Sequence, residues 1–469
     1  MGLVRHNCGF CVSHTLHDAY SFIKALQHRG REATGIAFIG DEGIDVLKWS
    51  GSVEKLDIED LYKIFPSKKY HTYLAHVRYA TRGRKDKILQ DAHPHVIGGK
   101  IKDNGSHVII TDCDAVIVHN GQVNQEFLEL IKKENLKTNC DSEALLHFFK
   151  QFGEKKVLEE IPGAYSLAVA IKGTEGVIVL RDRAGIKPGV LGWKDGKYLV
   201  ASEDVAFRKN GGKFIEDLEP GYAYYLHSGG DYSRDKLIES KKKHCFFEYN
   251  YIANLDSVID GVSVRRVREI LGEALAKEIQ PEADFVTFLP RCPEFAARRY
   301  AEIVKKPFKQ VFYKTRGERS FLGSTTKDRE DSIKTNLYIM PLIEGEDSEK
   351  VLKDKTVILV DDSTIRGNNS KRAVKTLLEK GVKKVYLLNY TPQIGVIPGD
   401  GVERGCIYGV DMPPNDDFIV RGRTAEEINE NIGAEVFFLS IEGMLNAFEK
   451  VGMKRENLCH FCIGGKKPF

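Results

Sequence analysis

One segment constrains the fold of this chain more than any other. Four apolar residues, Val357–Val360, precede the consecutive acids Asp361 and Asp362, and a glycine-containing loop then leads into a helical pattern. Uninterrupted apolar runs are typical of strands in parallel sheets, because helices cover both faces of such sheets. Ligands of open α/β sheets bind beyond the carboxyl ends of the strands, so we expect both carboxylates to face a ligand.

The loop that follows the two acids has the features of an anion site. Free N–H groups and the dipole at a helix N-terminus attract phosphate, and paired carboxylates suit ribose hydroxyls, either directly or through hydrated Mg²⁺. A βα turn that merely uses Asp and Asn as turn residues is the alternative. Neither a Walker A pattern nor GxGxxG occurs in the chain, so the usual nucleoside triphosphate and dinucleotide sites are not indicated. The candidate ligand-binding residues are Asp361, Asp362, Ser363, Arg366, Gly367, Asn368, Asn369 and Ser370.

Periodicity divides the chain into two halves. The first half consists of short β-type runs separated by glycine turns, with helical spacing at Asp18–Leu26 and Ser142–Phe149, which predicts a layered α+β domain. The second half alternates helical patterns with apolar runs, which predicts a parallel sheet. The charged stretch Glu239–Lys243 marks a junction between domains at 8–240 and 241–469. The predicted strands of the second half are Phe285–Leu289, Phe308–Tyr313, Thr356–Val360 and Lys384–Asn389, and the predicted helices are Val264–Lys277, Cys292–Val304 and Ser370–Lys380.

The composition excludes several classes of protein. Among 469 residues, 70 Lys and Arg stand against 67 Asp and Glu, and a net charge of +3 is too small for a dedicated nucleic-acid binder. No apolar run approaches the roughly 18 residues of a membrane helix, and the N-terminus lacks the apolar core of a secretory signal. We therefore predict a cytoplasmic protein with no nucleic-acid or membrane partner. Its nine cysteines are then core residues, nucleophiles or metal ligands rather than disulfides.

Several short motifs of the first half are weak individually but follow a recognisable order. They contain Cys8-Gly9, Arg29-Gly30, Arg78, Asn120-Gly121 and Cys140-Asp141. In this order they resemble the glutaminase domain of the N-terminal-nucleophile amidotransferases, and the resemblance implies a layered αββα fold.

The resemblance also implies a chemical role for each residue. The Cys8 thiolate would attack the amide carbonyl of glutamine, and the α-amino group of an N-terminal cysteine, with a reference pKa of about 8, would serve as its base. The Asn120 amide and the Gly121 N–H would stabilise the oxyanion. An arginine suits the α-carboxylate of glutamine and an aspartate suits its α-ammonium. The implied glutamine-binding residues are Arg29, Gly30, Arg78 and Asp141.

Cys8 is not the first residue of the translated chain. Removal of Met1 alone would not expose its amino group, so the resemblance implies a cleaved leader over residues 1–7. Cys11 is a rival nucleophile, but it is not followed by glycine, and we interpret it as a packed core residue.

The loop at Asp361 resembles the phosphoribosyl-pyrophosphate motif of the type I phosphoribosyltransferases. Together the two halves resemble the glutamine phosphoribosylpyrophosphate amidotransferase family over nearly the whole chain. The resemblance implies that glutamine, water and phosphoribosyl pyrophosphate give 5-phosphoribosylamine, glutamate and pyrophosphate, the first committed step of purine synthesis. It further implies Mg²⁺ at Asp361 and Asp362, and a homotetramer inhibited by purine nucleotides.

Four cysteines form a candidate metal site. Cys459-x-x-Cys462 is a metal-type pair that cannot complete a four-ligand site alone. Cys245 and Cys406 match cysteine positions in the iron–sulfur branch of the family, and this resemblance favours a [4Fe–4S] cluster. Four thiolates suit structural zinc equally well in chemical terms.

The transferase half departs from the family pattern mildly at Gly367-Asn368-Asn369, where the family has Gly-Thr-Thr, and more strongly at two other loops. The pyrophosphate loop is Arg291-Cys292-Pro293-Glu294, in which arginine replaces the usual acid and proline removes an N–H. The lid loop is one residue shorter and contains Lys314, Arg316 and Arg319. Three hypotheses follow. The chain is the purine-pathway amidotransferase, or a divergent relative that uses ammonia or another phosphoribosyl donor, or a non-catalytic iron–sulfur paralogue that binds a nucleotide.

Overall fold

The structure is a computed structural model, and it describes residues 8–65, 69–79, 88–123, 136–138, 140–314, 337–408, 410 and 412–468. Its N-terminal half is built on one sheet of thirteen strands. These strands are β1 (Gly9–Ser13), β2 (Ala33–Gly40), β3 (Gly43–Ser50), β4 (Thr72–Arg78), β5 (His95–Asp103), β6 (His107–Val123), β7 (Gly163–Ile171), β8 (Val177–Arg181), β9 (Val190–Lys194), β10 (Lys197–Ala201), β11 (Lys213–Asp217), β12 (Tyr222–Leu226) and β13 (Tyr232–Lys236).

Neighbouring strands of this sheet are antiparallel, in the order β11-β9-β10-β1-β4-β2-β3-β6-β7-β8-β12-β13, with β5 also on β6. The sheet folds over on itself. Phe10 of β1 lies in the same buried cluster as Val116 and Val118 of β6, although these strands do not pair. The two layers join where β3 pairs with β6, and the register of this pairing shifts between Ile44 and Val46. The N-terminal half is therefore a two-layered sandwich.

Helices cover both outer faces of the sandwich. The four described helices of this half are α1 (Leu16–Ala25), α2 (Ile58–Ile64), α3 (Asp141–Glu160) and α4 (Val205–Arg208). Phe22 of α1 packs on the β1 layer, and Leu145 of α3 packs on the β6 layer. The Thr15 side chain accepts a hydrogen bond from Asp18 N at 3.0 Å and caps α1. The predicted αββα architecture is confirmed.

The C-terminal half contains a sheet of four parallel strands in the order β17-β22-β23-β24. Its helices are α5 (Val264–Glu278), α6 (Glu294–Val304), α7 (Ser348–Leu352), α8 (Asn368–Glu379), α9 (Ala425–Ile432) and α10 (Ile441–Lys450). Its strands are β14 (His244–Cys245), β15 (Val258–Ile259), β16 (Val262–Ser263), β17 (Phe285–Phe288), β18 (Phe312–Lys314), β19 (Leu337–Ile339), β20 (Leu342–Ile343), β21 (Glu346–Asp347), β22 (Thr356–Asp361), β23 (Lys384–Asn389), β24 (Glu435–Phe438) and β25 (Leu458–Cys459). The predicted parallel α/β domain is confirmed.

One predicted strand of the parallel sheet is wrong. Phe308 forms a single parallel bridge with Val286. Beyond it the backbone leaves the ladder, because Val311 N–H donates to the side chain of Thr287 at 3.3 Å instead of to a carbonyl. The chain forms a strand again as β18, which pairs antiparallel with β19 outside the parallel sheet.

Candidate active sites and cysteine cavity

Cys8 is fully buried and directly precedes β1. Its carbonyl oxygen accepts a hydrogen bond from Arg29 Nε at 2.8 Å. Burial raises the pKa of the Cys8 thiol to about 12, although the charges of Arg78, Lys187 and Arg29 lower it. A thiol with this pKa is a poor nucleophile at neutral pH, so the site needs a base close to the sulfur.

Asn120 provides the strongest sign of a ligand site in this half. Its side chain is fully buried, and neither Nδ2 nor Oδ1 has a hydrogen-bond partner among the residues that the structure describes. An unsatisfied buried amide costs about 1–3 kcal/mol, and such groups call for a functional explanation. Val116 and Val118 of β6 share a buried cluster with Phe10 of β1. Asn120 is two residues beyond Val118 on the same strand, so its side chain faces the layer that carries Cys8.

Glycine is required at two positions of this site. A Cβ atom at Gly121 would lie 1.9 Å from the Ala164 carbonyl oxygen, and the φ of +148° disfavours other residues. A Cβ atom at Gly30 would lie 2.4 Å from the Arg78 carbonyl carbon. Gly30 therefore lets the backbone of the predicted carboxylate-binding arginine approach closely.

Arg78 retains hydrogen-bonding capacity for a ligand. Its guanidinium is buried, with Nη2 3.5 Å from Asp91 Oδ2 and Nη1 3.4 Å from Ile88 O, and both contacts are long. Nε has no hydrogen-bond partner within the described part of the chain. Its charge lowers the pKa of both Cys8 and Cys140, so it lies near the predicted nucleophile and near the start of α3. Asp141, the first residue of α3, accepts a hydrogen bond from Val123 N at 3.0 Å.

The Arg29 side chain does not extend into the predicted glutamine site but pairs with buried acids behind it. Its guanidinium forms buried ion pairs with Glu203 and Glu248. Lys187 Nζ lies 3.0 Å from Glu248 Oε1, and His28 Nε2 lies 2.7 Å from Glu203 Oε1. Sequence analysis did not identify this network, because its hydrogen-bonded partners lie in motifs up to 219 residues apart.

We expect Glu248→Ala to destabilise the protein by about 3–5 kcal/mol, because it removes the buried carboxylate that the cations of Arg29 and Lys187 share. Thermal and urea unfolding of the full chain would measure the loss. Glu239→Ala is the matched control, since it removes a carboxylate that is 89% exposed and paired with Lys236, and it should cost less than about 1 kcal/mol. Equal losses in the two variants would show that the buried network contributes no more than a surface ion pair.

The acids predicted to bind ribose lie at the carboxyl end of β22. Asp361 Oδ2 accepts a hydrogen bond from Ser370 Oγ at 2.9 Å, and Asp362 Oδ2 accepts one from Ser363 Oγ at 2.8 Å. Burial and the neighbouring charge of Asp362 raise the pKa of Asp361 well above its usual range, and burial raises the pKa of Asp362 to about 6. Two adjacent buried carboxylates favour a bound cation or hydroxyl donors.

The loop after these acids is shaped for an anion. Gly367 has a φ of +81° and precedes Asn368, the first residue of α8. The first N–H groups of α8, which include those of Asn369 and Ser370, therefore lie close to Asp361 and Asp362. The Arg366 guanidinium forms an ion pair with Asp416, which holds the loop against the segment before α9.

The altered pyrophosphate loop lies at the same edge of the sheet. β17 pairs in parallel with β22, with Phe288 opposite Val360, so residues 290–294 and Asp361 follow neighbouring strand ends. The Pro290–Arg291 peptide is cis, and Pro293 precedes α6. In the lid, Lys314 ends β18, whereas Arg316 and Arg319 lie outside the described residues.

All four predicted cysteine ligands line one cavity. β14 and β25 pair in parallel with Cys245 opposite Cys459, which brings the C-terminal tail to the domain junction. Burial raises the pKa of Cys459 to about 12, and burial and the neighbouring thiols raise that of Cys462 well above its usual value. The cavity is lined by Cys245, Cys406, Cys459 and Cys462, together with Ile186, Lys187, Phe247, Gly405, Tyr408, Val410, Met412 and Phe461.

Comparison with known proteins agrees with both halves. Residues 100–229 match the family model of a glutamine amidotransferase domain. The amidophosphoribosyltransferase of Methanothermobacter thermautotrophicus is 32% identical over 96% of this chain and 90% of its own length. That of Bacillus subtilis is 30% identical over 96% of this chain and 90% of its own length.

Two solved structures share the whole architecture. The glutamine phosphoribosylpyrophosphate amidotransferase of B. subtilis, complexed with ADP and GMP, has a TM-score of 0.79 at 28% identity and covers 98% of this chain and 97% of its own. A structure described as the allosteric regulatory enzyme of purine biosynthesis has a TM-score of 0.80 at 27% identity, covering 98% and 96%. Fold and site thus define an enzyme with a glutaminase domain followed by a phosphoribosyltransferase domain. The chain belongs to the amidophosphoribosyltransferase family.

Proposed function

We propose that this chain transfers the amide nitrogen of glutamine to C1 of phosphoribosyl pyrophosphate and so makes 5-phosphoribosylamine, as in the first committed step of purine synthesis. One observation carries the proposal. A buried cysteine site, an amide with no hydrogen-bond partner among the described residues, and a pair of buried strand-end carboxylates occur in one chain that matches the family over 96% of its length. The domain boundary that we propose near residue 240 separates the two sites.

The glutaminase steps follow from the residues around Cys8. The α-amino group of a terminal Cys8 takes the thiol proton, and the thiolate attacks the amide carbon. Asn120 and the Gly121 N–H hold the resulting oxyanion, while Arg78 and Asp141 hold the α-carboxylate and the α-ammonium. Collapse of the intermediate returns the proton to the leaving ammonia, and water then hydrolyses the thioester to glutamate.

The transferase step takes place at the end of β22. Ammonia, which we propose passes internally from the first site, attacks C1 of the ribose. The bond from C1 to the pyrophosphate oxygen breaks as the new C–N bond forms, pyrophosphate leaves, and the new C1 ammonium group loses one proton to solvent to give the amine. Asp361 and Asp362 hold the ribose hydroxyls, and the N-terminus of α8 holds the 5-phosphate. These two carboxylates fit Mg²⁺, which would supply positive charge for the departing pyrophosphate.

A steady-state assay tests the proposed reaction. Glutamate and pyrophosphate should form in equal amounts, and both should require phosphoribosyl pyrophosphate and Mg²⁺. Pyrophosphate formation with ammonia but not with glutamine would favour the divergent relative. Formation of neither product would favour the non-catalytic paralogue, and Arg291 and Pro293 would be the first residues to examine.

We expect Asn120→Ala to lower glutamine-dependent synthesis by about 100- to 1,000-fold, because the oxyanion loses a preorganised donor. Synthesis from ammonia bypasses the oxyanion, so it serves as the internal control in the same preparation. A matched surface variant, Asn104→Ala, removes an exposed amide and should leave both rates unchanged. If Asn120→Ala reduces both rates equally, the side chain has a structural role instead.

The donor set suits either metal centre, but the spacing of the four cysteine sulfurs favours an iron–sulfur cluster over zinc. Sulfur ligands of one tetrahedral zinc ion stand about 3.8 Å apart. Among the described residues, no three of these cysteine sulfurs all lie within 4.8 Å of one another. Cys406 Sγ accepts hydrogen bonds from Tyr408 N at 3.4 Å and Val410 N at 3.3 Å, which stabilise a thiolate. We propose that Cys245, Cys406, Cys459 and Cys462 hold a [4Fe–4S] cluster that fixes the C-terminal tail to the junction.

We expect Cys459→Ser to abolish cluster binding. The anaerobically purified protein should be brown and contain iron and acid-labile sulfide in equal amounts, and the variant should contain neither. Cys292→Ser is the control, because this half-buried thiol lies outside the cavity. A colourless wild-type protein with bound zinc would contradict the cluster assignment.

We further propose inhibition by purine nucleotides and a homotetramer. Purine nucleotides carry the ribose 5-phosphate that the β22 loop is expected to bind, and the similar B. subtilis structure contains ADP and GMP. Competition with phosphoribosyl pyrophosphate and light scattering would test these points. Within the described part of the chain, no helix is both long and apolar enough to cross a membrane. The cytoplasmic location stays a prediction.

A further inference from the structure

A second group of metal-binding side chains lies in the glutaminase half, apart from the four-cysteine cavity. His93, His95 and Cys140 are buried, and one donor atom from each lies within 4.8 Å of the other two. His95 is the first residue of β5 and His93 lies two residues before it, whereas Cys140 directly precedes α3. Within the described residues, these three side chains form the one group of this kind.

The donors match a borderline divalent cation. Two imidazoles and a thiolate are typical zinc ligands, and the donor atoms of a tetrahedral zinc ion stand about 3.5 Å apart. That separation is compatible with the 4.8 Å limit that contains all three donors. The His93 and His95 rings are nearly perpendicular, at 88°, with centroids 4.6 Å apart.

A hydrogen bond outside the triad orients one imidazole. His93 Nε2 lies 2.8 Å from Ser142 Oγ, and the same oxygen lies 2.9 Å from His119 Nδ1. A metal-bound histidine generally donates its other ring N–H to such a partner, which fixes the tautomer and the direction of the metal-binding nitrogen. Because Ser142 holds Nε2 of His93, we assign Nδ1 as the metal-binding nitrogen of this residue.

The charges around the triad are mixed. Two cationic groups lie near it. Lys48 Nζ donates a hydrogen bond to Ala92 O at 2.7 Å, and the Arg78 guanidinium interacts electrostatically with Cys140. Asp141 and Glu143 follow Cys140 in the chain, and both are buried. The two carboxylates therefore balance the charges of Lys48 and Arg78. A divalent ion bound by one thiolate would add a single positive charge to this group.

We propose that His93, His95 and Cys140 bind one zinc-class divalent cation, with water as a fourth ligand, and that this ion fixes the start of α3. Binding forms the metal–sulfur bond and releases the Cys140 thiol proton to solvent. Since Asp141 is the next residue, a bound ion would hold its carboxylate in place for the α-ammonium of glutamine. This second consequence rests on the proposed function, whereas metal binding itself does not.

Cobalt(II) is a suitable probe, because a cobalt–thiolate bond absorbs visible and near-ultraviolet light. The full chain, with its four-cysteine site already loaded, is titrated anaerobically with Co²⁺. We expect one equivalent to bind with a thiolate-to-cobalt band that is lost in Cys140→Ser and in His95→Gln. Ser142→Ala should keep the band but weaken the affinity about 10- to 100-fold. The control Cys113→Ser changes a buried thiol of β6 that lies outside the triad, and it should keep both.

The other outcomes overturn either part of the metal proposal or the proposed function on which its second consequence rests. Absence of the band in the wild-type protein would show a hydrogen-bonded cluster without a metal. A band that disappears in Cys459→Ser but persists in Cys140→Ser would belong to the four-cysteine site. If metal removal leaves the KM for glutamine unchanged while cobalt binds the triad, the link to Asp141 is wrong. Cobalt binding by a chain without amidotransferase activity would support the metal site and refute the proposed function.

Discussion

Replacing Cys8 with alanine is expected to lower glutamine-dependent synthesis of 5-phosphoribosylamine roughly a thousandfold or more, because no other group forms the thioester. Synthesis from ammonia should stay within about twofold, since it requires only the site at the end of β22. Both rates are measured as pyrophosphate release. Cys11→Ala is the matched control, because Cys11 is an equally buried thiol three residues further along, within β1. It should leave both rates nearly unchanged.

The glutamine-dependent rate also allows a test of the predicted leader, residues 1–7. Burial raises the pKa of the Cys8 thiol to about 12, so we expect the site to depend on the terminal amine as its base. The intact mass of the active protein should lack residues 1–7. A variant without residues 2–7, in which removal of Met1 exposes Cys8, should match the activity of the processed protein. Full glutamine-dependent activity in a protein that retains the leader would contradict this mechanism.

The second large effect is expected from Asp361→Asn combined with Asp362→Asn. Loss of both carboxylates removes the ribose and Mg²⁺ contacts, and synthesis from glutamine and from ammonia should fall together by at least about a hundredfold. Covalent labelling of Cys8 by an electrophilic glutamine analogue should continue in this variant. Labelling therefore distinguishes a damaged transferase site from a misfolded protein.

Asp354→Asn is the matched control for this pair. Asp354 is exposed just before β22 and has a φ of +60°, a conformation that asparagine tolerates. It should leave both rates and the labelling unchanged. Retention of more than a tenth of the ammonia-dependent rate by the double variant would remove the carboxylates from the proposed mechanism.

Local patterns predicted much of the fold. The run Val357–Val360 and the acids after it predicted a buried parallel strand with a ligand edge, because strand, turn and helix signals lie together there. The layered first half followed from short β-type runs with helical spacing at Asp18–Leu26. Phe308–Tyr313 was predicted as a strand on composition alone, and hydrogen bonds to Thr287 and Met340, which no local pattern contains, decided otherwise.

The candidate sites were harder to predict where they depend on distant contacts. Cys245 and Cys459 are 214 positions apart in the chain, and the β14–β25 pairing that joins them is only two residues long. The pairing of Arg29 with Glu203 and Glu248 gives no local sequence signal either. His93, His95 and Cys140 come together only because β5 lies beside α3.

The central claim is that this chain carries nitrogen from glutamine to phosphoribosyl pyrophosphate. The most direct test is a single reaction with amide-¹⁵N glutamine, phosphoribosyl pyrophosphate, Mg²⁺ and an excess of unlabelled ammonium, with the aminated product trapped and its mass measured. The account predicts that the product contains a much higher fraction of ¹⁵N than the bulk ammonium does, because ammonia passes between the sites within the protein. A product with the isotope ratio of the bulk ammonium, or no aminated product, would contradict it.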